Sequence, residues 1–275
     1  MDLGLRDKVA LVTAASKGLG RATAREFARE GAKVAICARS ELVETAAKEI
    51  ARSELVETAA KEISKETGAD VLAVRGDLTQ ADDIENVVAK TLKEFGRIDI
   101  LFNNAGGPKP GNFLSLNEKD WEVAANLTLM SAVRLCYAVV PKMVEQGEGS
   151  IVTSQSYLIK QPLDNLILSN ALRLAVIGFI KSLANELGPK GIRVNSINPA
   201  WTWTERVEQL MADRAARAGT TPEEEAAKIS SEIPLRRMGT VEEFARVAVW
   251  LASPAASFIH GHALMFDGGL VQMPL

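Results

Sequence analysis

The stretch that most constrains this chain is Leu5–Ser40, which reads strand, glycine turn, helix, strand. Lys8–Thr13 (KVALVT) is a short apolar run rich in β-branched residues, Ala14–Gly20 (AASKGLG) is a turn, Arg21–Glu30 carries a helical pattern, and Lys33–Cys37 (KVAIC) is a second apolar run. A glycine turn between strand and helix aims backbone N–H groups and the positive end of the helix at one spot, which suits a pyrophosphate. Ala15, Ser16, Lys17, Gly18, Leu19 and Gly20 are therefore the first candidate cofactor-binding residues. The competing reading is a tight structural turn, and the position inside a βαβ pattern favours the dinucleotide.

The alternation continues along the chain. Val71–Arg75 ends in Gly76-Asp77-Leu78-Thr79 and is followed by a helix over Ala81–Phe95. Ile98–Phe102 ends in Asn103-Asn104-Ala105-Gly106-Gly107, and a long helix follows over about Lys119–Gln146. Ser150–Ser154 runs into Gln155-Ser156, and Ile167–Leu187 is helical before the strand Arg193–Asn198 and the turn at Pro199-Ala200. A charged helical region, Glu205–Ser231, is interrupted at Gly219–Pro222, and helix Val241–Ala252 and strand Ala263–Phe266 close the pattern. Seven short strands separated by helices predict an α/β fold: a Rossmann-type doubly wound parallel sheet with helices on both faces and ligands at the carboxyl ends of its strands. At 275 residues the chain is read as one domain, 1–275.

Residues Ala38–Ile50 (ARSELVETAAKEI) recur without a change as Ala51–Ile63, so 38–63 is a tandem duplicated helical segment. Two short copies do not make a solenoid. Each copy carries its own apolar face: Leu42, Val43, Ala46, Ala47 and Ile50, then Leu55, Val56, Ala59, Ala60 and Ile63. At about 100° per residue, thirteen residues turn the face by roughly 220° beyond three turns, so one straight helix cannot bury both copies on one sheet. The second copy is expected in the ordinary helix position, because Ser64–Gly68 then leads directly into the next strand. The first copy is expected to be extruded or to extend the helix past the sheet edge.

These motifs together resemble the classical short-chain dehydrogenase/reductases, in particular the 3-oxoacyl-carrier-protein-reductase-like branch, over nearly the whole chain. The family's cofactor motif Thr-Gly-xxx-Gly-x-Gly falls on Thr13, Ala14, Gly18 and Gly20, with alanine where the first glycine is usual. Its Asn-Asn-Ala-Gly matches Asn103–Gly106, so the resemblance implies that Asn104, Ala105 and Gly106 contact the cofactor. The aspartate beside the adenine matches Asp77, followed by Leu78, and Pro-Gly-xxx-Thr matches Pro199, Ala200 and Thr204. The family's Asn, Ser, Tyr and Lys tetrad maps to Asn126, Ser156, Ser169 and Arg173, a register fixed by the following Val176-Ile177-Gly178-Phe179. A phenol lowered by a neighbouring ammonium transfers protons well. A serine without a base transfers them poorly, and an arginine keeps its charge, so Arg173 holds ribose hydroxyls but is a poor relay.

That substitution leaves the proton source open. Ser156 and Ser169 orient a carbonyl in one reading, with water, Lys160 or Tyr157 supplying the proton. In the alternative the chain is a nucleotide-binding pseudoenzyme or redox sensor with little carbonyl-reductase activity. The favoured function is an oxidoreductase moving a hydride to or from a small or medium carbonyl or alcohol. Ala38 stands where an NAD site wants a carboxylate, and Lys17 with Arg39 suits the 2′-phosphate of NADP, so NADP(H) is favoured over NAD(H). Trp201 and Trp203 open the segment expected to form a substrate lid, 201–235.

The surroundings of the molecule are read from charge and composition. A net charge of -3 gives no reason to expect nucleic acid, and no apolar leader or charge-free membrane-length run is present. Cys37 and Cys136 lie in apolar runs and read as buried thiols, which fits a reducing, cytoplasmic setting. His260 and His262 lack metal-ligand spacing with them, so no metal site is expected. Surplus apolar positions on the two long helices, Leu127, Leu129, Met130, Val133, Leu135, Leu168, Leu172 and Leu174, together with the resemblance, lead to a homotetramer, with a dimer as the alternative.

Overall fold

The computed structural model describes residues 1–39 and 46–273, and for 46–54 the backbone alone. Seven strands form one parallel sheet: β1 (Val9–Thr13), β2 (Lys33–Ala38), β3 (Val71–Arg75), β4 (Ile100–Asn103), β5 (Gly149–Ser154), β6 (Ile192–Pro199) and β7 (Ala263–Phe266). Their order is β3-β2-β1-β4-β5-β6-β7, so the winding reverses between β1 and β4 and opens a crevice at their carboxyl ends. The doubly wound α/β sheet expected from the alternation is the fold observed.

The helices cover both faces. α1 (Gly18–Arg29), α2 (Ala46–Thr67) and α9 (Val241–Ala252) lie on one face, where Phe27, Ile36, Ile63, Phe102 and Phe244 share a core. On the other face α3 (Ala81–Phe95), α5 (Ser131–Gln146) and α6 (Ile167–Leu187) close over Leu11, Leu101, Ile151 and Val194. By length and composition alone, the spans Glu118–Gln146 and Ile167–Lys190 are apolar enough to cross a membrane. Here they lie on the sheet, burying Leu135, Val139 and Met143 on one and Val176, Ile180 and Leu187 on the other. Leu135 and Leu168, read from sequence as surplus apolar positions, are fully buried in the subunit's own core and belong to no outer face.

The long helix foreseen over Lys119–Gln146 is not uniform. α4 (Glu118–Ala125) passes into a π-helical segment, Asn126–Met130, before α5 begins. The charged region splits at Gly219, as its Gly-Thr-Thr-Pro signal indicates, into α7 (Glu205–Ala218) and α8 (Pro222–Glu232). Thr221 caps α8 by accepting from the Glu224 N–H, with Pro222 in the first turn.

The second copy of the repeat occupies the sheet position. Val56, Ala59, Ala60 and Ile63 are buried in the shared core, and Glu62 and Glu66 pair with Arg21, Arg25 and Arg29 along α1. Glu66 lies outside the repeat, so this ladder favours the observed register over a thirteen-residue slip. Residues 40–45 and the side chains up to 54, on which the expectation for the first copy falls, lie outside the described residues.

Candidate cofactor and active site

The turn after β1 is built by strain and close approach. Ala14 takes a φ of 49°, in the left-handed region that alanine's methyl group disfavours. Its carbonyl accepts from Asn104 Nδ2 at 3.4 Å. A Cβ on Gly20 would stand 2.5 Å from the same carbonyl oxygen, so only glycine lets α1 start this close to the strand. Gly18, at φ 56°, is the first residue of α1 and leaves its amino end open to the crevice.

Thr13 and Ala15 lie beneath this turn, fully buried. The Thr13 hydroxyl donates to the Asn104 carbonyl at 2.8 Å and accepts from the Asn104 N–H at 2.9 Å. Thr13 thus fixes the loop after β4 against β1. Ala15 donates its N–H to Cys37 and ties the turn to β2.

The crevice is a cleft of about 410 Å³. Ser16, Lys17, Gly18, Leu19, Arg39, Leu78, Asn104, Ala105, Gly106 and Thr204 line it, all of them candidates from the sequence. Asp77 faces its own turn, where Oδ1 accepts from the Thr79 N–H and hydroxyl, both at 2.9 Å. Pro199 is buried at the end of β6. Sequence reading missed Leu55, Leu127, Glu205 and Arg206 in the lining. Glu205 and Arg206 were within reach of it, since Thr204 is a cap residue and the next two residues must form the first turn of α7. Leu55 was not, because the repeat offers two equivalent leucines.

The residues at the mouth fit a dinucleotide. The glycine cradle admits a backbone-hugging group, the amino end of α1 favours an anion, and Lys17 and Arg39 stand in the same cleft.

The candidate tetrad gathers at the carboxyl ends of β4 and β5. Ser156 follows β5 and caps the short turn Tyr157–Ile159, its Oγ accepting from the Leu158 N–H at 3.4 Å. α6 packs against this turn and against the π-helical segment that starts at Asn126. Ser169 is buried, and its hydroxyl has no hydrogen-bond partner among the described residues. Arg173, one turn on, donates through a terminal nitrogen to the Gln155 carbonyl at 3.0 Å and approaches Gly107 across the site. Burial pulls its guanidinium down to about 10, still charged at neutral pH.

The two other proton sources are placed differently. Tyr157 is buried, and burial pushes its phenol up to about 12. Lys160 closes the turn with its backbone N–H, and its ammonium makes no hydrogen bond or ion pair among the described residues. Trp201 lies under the Arg214 guanidinium, 5.4 Å from the ring centroid, beside a small core of Met211, Ile229, Ile233 and Met238 in the region read as a lid. Trp203 is exposed.

A sequence profile described as enoyl-(acyl carrier protein) reductase matches residues 13–271. The 3-oxoacyl-[acyl-carrier-protein] reductase FabG of Thermotoga maritima is 34% identical over 268 residues, covering 97% of this chain and 99% of that one. Oxidoreductase UcpA of Salmonella typhimurium is 33% identical, covering 96% and 95%. Among solved structures, L-sorbose reductase from Gluconobacter frateurii complexed with NADPH and L-sorbose superposes with a TM-score of 0.92 at 30% identity, covering 99% of this chain and 100% of that one. With the cradle, the sheet order and these relatives in agreement, the chain belongs to the short-chain dehydrogenase/reductase family of NAD(P)-dependent oxidoreductases.

Proposed function

We propose that the chain is an NADP(H)-preferring reductase of small or medium carbonyl compounds, working reversibly on the corresponding alcohols. The observation that carries this is the cleft at the β1–β4 switch point, which holds Lys17 and Arg39 beside the amino end of α1. The structural relative bound to NADPH supports the same cofactor. A bound nicotinamide supplies or takes up the hydride. The protein's part is to hold the 2′-phosphate with Lys17 and Arg39, the pyrophosphate with the turn at Ser16–Gly20, and the substrate oxygen with Ser156 and Ser169. Arg173 fixes α6 to the residue preceding Ser156 and adds a half-buried positive charge that polarises the carbonyl. The binding-module alternative finds no support among the relatives, which are reductases and oxidoreductases by name.

A homotetramer, in cytoplasmic surroundings, completes the proposal. What supports the assembly is the apolar surface left by Phe113, Leu114, Val123, Met130, Tyr137 and Leu174. The free, buried thiols of Cys37 and Cys136 support the reducing compartment. Consumption of NADPH against a panel of aldehydes and ketones tests the activity, and light scattering at micromolar protein tests the assembly. Failure to turn over any member of the panel, or a monomer mass, sinks the corresponding part.

A further inference from the structure

We infer that Arg173 seats a substrate carboxylate, and that the substrate is a 2-oxo acid reduced to the 2-hydroxy acid. The inference rests on the oxidoreductase reading given above, which sets the carbonyl oxygen at Ser156 and Ser169. Arg173 is half-buried on α6 and forms no ion pair among the described residues. Desolvation alone pulls its guanidinium down to about 10, with no acidic side chain offsetting the burial. A partly desolvated cation without a counter-charge favours an anion that enters from outside.

The guanidinium nitrogens divide into two sets. Nη1 donates to the Gln155 carbonyl at 3.0 Å and lies 3.5 Å from the Gln155 side-chain oxygen. Nη2 and Nε make no hydrogen bond among the described residues, and neither is closed off from solvent. Together they form one edge of the guanidinium, a fork that takes both oxygens of a carboxylate. A ribose hydroxyl accepts from one such nitrogen and brings no charge.

There is room in front of that edge. A Cβ on Gly106 would meet no atom within 4 Å, and one on Gly107 would meet only Nη2, at 3.8 Å. Gly106 also lines the cofactor cleft, so the free edge borders the loop that both sites share. The pyrophosphate is a poor fit for this charge. Its expected seat at α1 follows β1, whereas Gln155 follows β5, two strands and roughly 10 Å away at about 4.8 Å per strand. The expected carbonyl seat is nearer: Gln155 directly precedes Ser156, and Ser169 lies one turn before Arg173 on α6. A carboxylate bonded directly to the reacting carbonyl makes that short step. The carbonyl carbon gains the hydride of the reduced nicotinamide and its oxygen takes a proton from water, which leaves the 2-hydroxy acid and the oxidised cofactor.

Oxamate, an unreactive isostere of pyruvate, and its neutral diamide oxamide test this by calorimetric titration of the protein saturated with NADPH. The parent should bind oxamate at least about tenfold tighter than oxamide. Arg173→Gln should abolish that preference, and Arg173→Lys, which keeps the charge without the fork, should keep only part of it. Gly107→Asp sets a carboxylate of the protein's own beside Nη2 and should abolish the preference as well, while Gly107→Asn should retain it. In the parent the preference should fade as pH rises through about 10, where the guanidinium loses its proton. The ratio of kcat/KM for pyruvate to that for butanone should fall at least about tenfold from the parent to Gly107→Asp. Equal affinities for oxamate and oxamide in the parent overturn the inference, as does a preference that survives both Arg173→Gln and Gly107→Asp. Weaker NADPH binding by Arg173→Gln with the oxamate preference intact assigns the guanidinium to the cofactor and overturns it too. If neutral ketones are reduced while oxamate is not preferred, only this inference falls; if NADPH does not bind, the oxidoreductase reading falls with it.

Discussion

Asn126 donates through Nδ2 to the backbone carbonyl of Thr79 at 3.1 Å, joining the π-helical segment to the turn after β3. Arg134 completes the link by donating to Asn126 Oδ1 at 2.5 Å and to the Thr79 carbonyl at 3.4 Å. Thr79 is in turn held by Asp77, so the side of the cleft expected at the adenine and the helix bearing a tetrad residue form one network. Both polar atoms of the Asn126 amide are committed to this network.

Breaking that network should be felt at both ends. Asn126→Ala leaves Arg134 and the Thr79 carbonyl short of a partner, which costs about 1–3 kcal/mol. We expect a lower urea midpoint together with weaker NADPH binding, although no Asn126 atom lines the cofactor cleft. An Asn126→Ala protein with the parent's midpoint and affinity would mean that the bond is idle.

Cofactor preference should rest on Arg39. With Lys17 and Arg39 in the cleft, NADP(H) should bind at least about tenfold tighter than NAD(H), roughly 1.4 kcal/mol. Arg39→Ala should remove much of that preference, and Arg52→Ala, in the same sequence context of the second copy, should leave it intact. Equal affinities for the two cofactors in the parent, or a larger effect at Arg52, would place the wrong charge or the wrong copy at the phosphate.

The repeat should be dispensable. Deleting Ala51–Ile63 leaves the same sequence as deleting Ala38–Ile50, and the remaining copy can rebuild the contacts of Val56, Ala59, Ala60 and Ile63 with the sheet. Glu66 stays in place to pair with Arg25 and Arg29. We expect the same circular dichroism and an equal or higher melting temperature, because one straight helix cannot bury both apolar faces on the sheet and ordering a second copy then costs entropy with little burial to offset it. A large fall in melting temperature would show that both copies pack.

Some of this was legible in the sequence and some was not, for physical reasons. Helices α3, α6 and α9 match their apolar periodicity end to end, because each has one buried face and a clear stop. The π-helical segment at Asn126 was invisible, since a single extra residue per turn leaves the apolar pattern Leu127–Val140 nearly unchanged. The glycine motif located the crevice, yet it does not tell Gly18, which lines the cleft, from Ala15, which is buried behind it. Nor does sequence spacing reveal that Asp77 spends its carboxylate on Thr79. Side-chain destinations of that kind depend on which neighbour reaches first, and only the folded chain decides it.

The sharpest expectation concerns proton supply. Ser169 and Arg173 stand one helical turn apart, as Tyr and Lys would, but neither is a ready acid at neutral pH. Arg173 is anchored to the Gln155 carbonyl and holds its proton until pH rises through about 10. Burial pushes the Tyr157 phenol up to about 12, so it offers no ready replacement acid. On the proposed assignment, such a site polarises a carbonyl but is poorly supplied with a proton. We expect slow turnover on simple aldehydes and ketones, with the guanidinium's contribution falling away only above pH about 10. The double change Ser169→Tyr with Arg173→Lys should raise the rate of NADPH consumption if the buried Ser169 position admits the ring. Ser156→Ala should lower the parent's rate by about tenfold or more, the scale of losing a hydrogen-bond donor to the reacting oxygen. Brisk parent turnover that survives Ser156→Ala would rule out this site. Turnover that needs Ser156 and collapses in Lys160→Ala would move the proton donor to Lys160, whose ammonium makes no ion pair among the described residues.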